Sequence, residues 1–198
     1  EPVTANPAGN AMRAEMRQPR NSVFSIGSNL GDRMEYLNLA VRALRATPGL
    51  RLTGVSSVYA TAPVGVVTQP DFLNAVVAVE STLPSMVMLE RALAIEDALN
   101  RVRTTRWGPR TIDVDLITVD DRQLESPELT LPHPRAHERA FVLVPWLEVQ
   151  PDAVLVGHGL HAQQLAGGKE VLRIEQASGL CRFVLGREQR RHQGPLPT

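Results

Sequence analysis

The chain has 198 residues, 43% hydrophobic and 21% charged, and its 21 Lys+Arg balance 21 Asp+Glu to a formal net charge of zero. That length supports one domain with a proper core, and the neutral balance argues against a protein devoted to DNA or RNA, where bulk positive charge supplies most non-specific affinity. A single cysteine, Cys181, excludes an intrachain disulfide and a thiolate-rich metal site, and no apolar run approaches the roughly eighteen residues of a membrane span.

Residues 1–20 are rich in Ala, Asn, Pro and Arg and lack the apolar centre of a signal peptide, so they read as a flexible leader. A reducing, cytoplasmic location is the expectation. Residues 21–26 form a short apolar strand that runs into Gly27-Ser28-Asn29-Leu30-Gly31-Asp32. The run lacks the glycine spacing and lysine of a phosphate-binding P-loop and reads as a tight strand–helix turn. Asp32 is placed to cap a helix reaching Ala46, with Met34, Leu37, Val41 and Leu44 at helical spacing. Thr47-Pro48-Gly49 stops that helix, and residues 50–59 read as a second strand.

A loop with proline near both ends, residues 62–71, precedes a third strand over 72–80. Alternation puts Leu73, Ala75, Val77 and Val79 on the core side, and Phe72, Asn74 and Val76 on the other. An aromatic face beside a carboxamide can stack on a flat heterocycle and bond its edge; equally, the two can be an ordinary aromatic and a surface amide. Pro84 suits the first turn of a helix over 84–100, with Leu89, Leu93, Glu96 and Asn100 along one stripe.

Residues 101–110 hold Arg101, Arg103, Arg106 and Arg110, no acid, Trp107 and a Gly108-Pro109 break. The strand that follows, residues 111–119, puts Ile112, Val114 and Leu116 on one face and Asp113 and Asp115 on the other. Two residues of strand rise separate the two acidic Cα atoms by roughly 6–7 Å, carboxylates aimed the same way. Such a like-charged pair calls for a cation. Mg²⁺ takes one or two protein carboxylates plus substrate phosphates, and guanidinium groups bind phosphate bidentately. The stretch reads as a metal–polyphosphate site, or else as a solvated acidic sheet face beside a solvated basic loop.

After a turn at Asp120-Asp121, residues 129–131 lead into Pro132-His133-Pro134, with Arg139 and Phe141 beyond. Residues 142–149 read as a helix and 154–156 as a short strand. Residues 160–165 suggest a short helix, while 171–174 and 181–185 suggest strands or partner-binding pieces.

Five segments in order, from about Ser22 to Val156, resemble the 6-hydroxymethyl-7,8-dihydropterin pyrophosphokinase family of folate biosynthesis. They are G-S-N-L-G, P-x-G-x-x-x-Q-P-D-F-L-N, the helix carrying Glu96, R-x-R-x-x-R-W-G-P-R-T-I-D-V-D-L, and P-H-P-x-x-x-x-R-x-F. The resemblance implies transfer of pyrophosphate from ATP to 6-hydroxymethyl-7,8-dihydropterin, with release of AMP. It implies two Mg²⁺ ions on Asp113 and Asp115, and Arg101 and Arg110 as catalytic cations. It places Glu96, Arg101, Arg103, Trp107, Arg110, Leu116, Thr130, His133 and Arg139 at the nucleotide. It places Thr61, Pro63, Val64, Gly65, Phe72, Asn74, Trp107, Asp113 and Phe141 at the pterin, Phe72 and Phe141 enclosing the ring and Trp107 closing over it. The sequence departs from the family at Phe72, often tyrosine, and at Glu128, where some members carry a nucleotide-contacting arginine.

The element order suggests an α+β, ferredoxin-like sandwich, its helices covering one face of a mostly antiparallel sheet. The implied fold agrees. The expected organisation is a leader at 1–20, a catalytic domain at 21–166 and an extension of unassigned role at 167–198. The enzyme is expected to act as a monomer on small-molecule partners, with neither nucleic acid nor membrane. The alternatives are a non-catalytic ferredoxin-like domain sensing a nucleotide or metabolite, which would need no acid pair, and an RNA-binding module built on residues 101–110.

Overall fold

A computed structural model describes residues 18–62, 69–99, 111–157, 160–162 and 172–173. The elements that position the site are β1 (Arg20–Ser28), α1 (Arg33–Ala46), β2 (Leu50–Val55), β3 (Tyr59–Thr61), β4 (Phe72–Ser81), α2 (Ser85–Ala98) and β5 (Asp113–Val119). Then come a short hairpin, β6 (Leu124–Glu125) and β7 (Thr130–Leu131), a 3-10 turn (Ala136–Glu138), α3 (Ala140–Val149), and the two-residue strands β8 (Val154–Leu155), β9 (Leu160–His161) and β10 (Leu172–Arg173). Among the described residues no helix is long and apolar enough to cross a membrane.

The main sheet runs β10-β3-β4-β1-β5, and β2 lies along the same edge of β4 as β3. Every pairing in it is antiparallel. This α+β architecture is the expected one. Helix α1 starts where the Glu35 N–H donates to the Asp32 side chain at 3.0 Å, and it buries Leu37, Ala40, Val41 and Leu44 on one stripe. Beneath α1 and α2, the sheet contributes Phe24, Ile26, Leu73, Ala75, Val77, Val79, Ile112, Val114 and Leu116 to the larger core.

Four local expectations are corrected by packing. The expected strand over residues 50–59 is two strands, because Ser56 interrupts it. The Ser56 hydroxyl accepts from the Val76 N–H at 2.9 Å, while the Ser56 N–H donates to the Val76 carbonyl at 2.9 Å. One residue thus satisfies both ladder groups of Val76, and Glu148 of α3 holds the corner through the Ser57 N–H and Oγ and the Tyr59 hydroxyl. Secondly, α3 lies on the face opposite α1 and α2: Val142, Leu143 and Trp146 pack on Val23, Val76 and Ile117. Thirdly, the first two residues of the helix expected over 160–165 pair with β8 as a strand, Ala162 is helical, and 163–165 lie outside the described residues. Finally, α2 buries Met88, Ala92, Ile95 and Glu96, whereas Leu93, expected on the same stripe as Glu96, is 47% exposed.

The extension expected to begin at residue 167 takes part in the main sheet, since Leu172 and Arg173 pair with Ala60 and Tyr59. Its remaining residues lie outside the described ones.

Glu96 has a definite place in this frame. It is 2% exposed, and its Oε1 accepts from the Val114 N–H at 2.7 Å. A buried carboxylate on α2 therefore fastens the strand on which Asp113 and Asp115 stand. Glu96→Ala should lower stability by about 1–3 kcal/mol, the usual penalty for stranding a buried donor. Glu96→Gln, which keeps an acceptor oxygen, should retain most of it. Urea unfolding of both variants checks this; equal losses would assign the effect to charge and not to the bond with Val114.

Candidate active site

Opposite residues of an antiparallel pair share a face, so the strand registers map the site directly. Asn74 of β4 pairs with Gly27 of β1, and Gly27 pairs with Asp113 of β5. One row along, Val76 pairs with Ser25, and Ser25 with Asp115. Further along the same face, Val23 and Ile117 lie beneath α3. The site is thus the part of this sheet face that α3 leaves uncovered.

A cavity of about 280 Å³ opens there, lined by Ser25, Gly27 and the Asp113/Asp115 pair on its floor, with Thr61, Ala62, Gln69, Phe72, Asn74, Arg135, Glu138, Arg139 and Phe141 around it. The middle strand carries small residues, so the floor is a trough between Asn74 and the acids. Gly27 makes that possible: a Cβ there would lie 3.0 Å from Asn74 Oδ1. The Asn74 Nδ2 donates to Thr61 Oγ1 at 2.9 Å, which turns Oδ1 over Gly27 as an acceptor. Around the rim, Asn29 Nδ2 holds the entering loop through Gln69 Oε1 at 3.0 Å and the Pro70 carbonyl at 3.2 Å.

The acidic end is tightly organised. Arg139 Nη1 donates to Asp115 Oδ2 at 3.0 Å, and its guanidinium lies 5.6 Å from the centre of the Phe141 ring, within cation–π reach. Burial, and then the charge of Asp113, raise the pKa of the Asp115 carboxyl above the ordinary aspartate value; His133 and Arg139 oppose this without cancelling it. A carboxylate pair in that condition is short of positive charge. The residues present fit a hard divalent cation: Asp113 and Asp115 project together into one cavity. Among the described residues no cluster of three or more His, Cys, Asp or Glu could hold a metal, so the remaining coordination positions would fall to phosphate and water, as Mg²⁺ prefers.

His133 sits beside the acids in a fixed pose. Its N–H donates to the Ile117 carbonyl at 2.8 Å, and its Nδ1 accepts from the Arg135 N–H at 3.1 Å. Nδ1 being an acceptor, the neutral ring carries its proton on Nε2. Burial lowers the pKa of His133 below the ordinary histidine value.

Of the residues predicted from sequence, Thr61, Phe72, Asn74, Asp113, Asp115, Arg139 and Phe141 meet in this cavity. Leu116 points the other way, 3% exposed in the core beneath α1 and α2, so only its backbone is open to the site face. Thr130 lies in the β6–β7 hairpin opposite Glu125, and Glu96 lies behind β5, bonded to Val114; neither lines the cavity. Pro63, Val64, Gly65, Arg101, Arg103, Trp107 and Arg110 fall outside the described residues.

Five lining residues are not among those assigned to the site individually from sequence: Ser25, Ala62, Gln69, Arg135 and Glu138, although Gln69 falls within the P-x-G-x-x-x-Q-P-D-F-L-N segment. Gly27, expected in the strand–helix turn, belongs to β1 and forms floor. The available signal was the alternation of small residues with Phe24 and Ile26, which puts Ser25 and Gly27 on one face.

The pattern of the family described as 7,8-dihydro-6-hydroxymethylpterin-pyrophosphokinase (HPPK) matches residues 23–151. A 2-amino-4-hydroxy-6-hydroxymethyldihydropteridine pyrophosphokinase of Methylorubrum extorquens is 48% identical over 134 residues, 68% of this chain and 85% of the relative. The Bacillus subtilis protein of the same name is 43% identical over 162 residues, 81% of this chain and 94% of the relative. The fold is similar to that of a solved Plasmodium falciparum HPPK-DHPS, wild type with pteroate, at TM-score 0.60 and 12% identity, covering 75% of this chain and 42% of that longer one. The matched stretch contains both the Asn74–Gly27–Asp113 floor and the arginine and aromatic residues above it, and the chain belongs to the 7,8-dihydro-6-hydroxymethylpterin-pyrophosphokinase family.

Proposed function

We propose that the chain transfers pyrophosphate from ATP to the hydroxymethyl group of 6-hydroxymethyl-7,8-dihydropterin. The hydroxyl oxygen forms the new bond to the β-phosphorus, the bond from that phosphorus to the α-phosphate oxygen breaks, AMP leaves, and the hydroxyl proton is released. One observation carries this reading: a single cavity joins an aromatic and carboxamide end (Phe72, Phe141, Asn74) to a paired-acid end (Asp113, Asp115). The relatives' shared name describes this chemistry.

Each end supports one substrate. Phe72 and Phe141 offer faces to a flat ring, and Asn74 Oδ1, fixed through Thr61, accepts from its donor edge. The register places Asp113 one strand beyond Gly27, so a ring held at Asn74 presents its substituent to the acids. Asp113 and Asp115 would hold Mg²⁺, which when bound balances phosphate charge and acidifies the attacking hydroxyl. Arg139 stabilises charge at the transferring phosphorus and His133 donates from Nε2 to phosphate oxygen. Positioning of two substrates in one trough supplies the remainder of the rate. We take the working unit to be a cytoplasmic monomer, in keeping with a site assembled within one chain.

AMP should form from ATP, Mg²⁺ and the pterin, and only with the pterin present. Asp115→Ala should reduce the rate by at least about a hundredfold, the scale of lost transition-state charge stabilisation. Release of ADP would refute pyrophosphoryl transfer, and ligand binding without turnover would favour the sensing domain.

Gly27→Ala puts a methyl against Asn74 Oδ1. It should raise the KM for pterin about tenfold, equivalent to about 1.4 kcal/mol, with the nucleotide KM little changed. Steady-state titration of each substrate decides the matter.

The raised Asp115 pKa also fixes the sign of a pH effect. Protonated Asp115 cannot bind a cation, so kcat/KM for nucleotide should fall as pH drops, along a limb lying above the ordinary aspartate range. Because metal and proton compete for one carboxylate, more Mg²⁺ should move that limb to lower pH. A limb indifferent to Mg²⁺ would remove Asp115 as its origin.

A further inference from the structure

Arg135 and Glu138 face the same cavity as Asp113, Asp115 and Arg139, and neither has a place in the function described above. They form an i,i+3 ion pair, Arg135 Nε to Glu138 Oε2 at 3.0 Å, with side chains 43% and 51% exposed. Solvent screens such a pair and leaves it weak. Arg139 differs: it is anchored on Asp115 and stacked on Phe141.

Charge makes Glu138 conspicuous. The lining residues include three acids, Asp113, Asp115 and Glu138, against two arginines, Arg135 and Arg139. Two of those acids suit cations. The third is an anion facing a cavity that, on the reading above, receives a polyphosphate. Its partner Arg135 offers a planar fork of donors, the group best matched to phosphate oxygens. The base of Arg135 is held, since its N–H bonds His133 Nδ1 at 3.1 Å, while its guanidinium carries the solvent-screened pair with Glu138.

We propose that Arg135 is a further phosphate-binding residue of this site, and that Glu138 is the carboxylate competing with phosphate for its guanidinium. The proposal rests on the functional reading above. A phosphate carrying more than one charge forms a stronger charge-assisted pair with arginine than an exposed carboxylate does, so nucleotide binding pulls Arg135 from Glu138 toward the triphosphate. Glu138 thereby tempers affinity for the nucleotide without touching the pterin end.

The test is calorimetric titration with the Mg²⁺ complex of α,β-methylene-ATP, whose bridging carbon blocks transfer. Arg135→Gln should weaken binding about tenfold, the scale of one charge-assisted contact, and flatten its salt dependence. Arg135→Lys should recover part of the loss. Glu138→Gln should tighten binding about threefold or more, a gain that shrinks in the Arg135→Gln background. Pterin affinity, measured alone, should be unchanged in every variant, which separates the effect from misfolding. Unchanged nucleotide affinity in Arg135→Gln, or weaker binding in Glu138→Gln, would overturn the proposal. Failure of the wild type to bind the analogue would instead overturn the functional reading, and this proposal with it.

Discussion

Asp113 and Asp115 stand side by side because Ile112, Val114 and Leu116 are buried behind them. A strand has a side-chain period of two, so fixing one face fixes the other. A slip of one residue in β5 would drive two carboxylates into the core beneath α1 and α2 and expose three aliphatic side chains. The hydrophobic effect thus enforces a like-charged pair that local propensity disfavours. The bond from the Val114 N–H to Glu96 secures the same strand from behind.

That enforced pair gives the cavity its chemistry. Burial and mutual repulsion leave Asp115 reluctant to ionise, a condition that a divalent cation relieves. Arg139 partly meets the need through its 3.0 Å bond, and its contact with Phe141 links the acidic end to the aromatic one. Gly27 and Ser25 keep the middle of the trough low, so a flat ring and a phosphate chain can lie along a continuous floor. The Asn74, Gly27 and Asp113 positions of that floor are spaced by strand geometry, roughly 4.8 Å per strand.

The face chosen by α3 matters equally. Because Val142, Leu143 and Trp146 pack on Val23, Val76 and Ile117, the helix covers one end of the sheet face and brings Phe141 to the boundary of the other. A helix shifted toward β3 and the Asn74 row would fill the trough. The clasp of Glu148 on Ser57 and Tyr59 opposes such a shift.

The α+β class, the faces of β4 and β5 and the cap at Asp32 were legible in the residues alone, because each depends on local periodicity or on a short motif. Phe72, Asn74, Asp113 and Asp115 could be assigned to a common side of their strands without knowing how the strands pair. The sequence could not determine that β1 lies between β4 and β5, and so it missed Ser25 and Gly27 as floor. Nor could it decide the face taken by α3, the break at Ser56, or the burial of Glu96 against Val114. Arg135 and Glu138 reach the cavity by a turn held where the Arg135 N–H donates to His133 Nδ1 and the His133 N–H donates to the carbonyl of Ile117, sixteen residues earlier in the chain. Those outcomes belong to tertiary structure, since strand order and helix placement minimise exposed apolar area over the whole chain, a sum that no window of neighbouring residues contains.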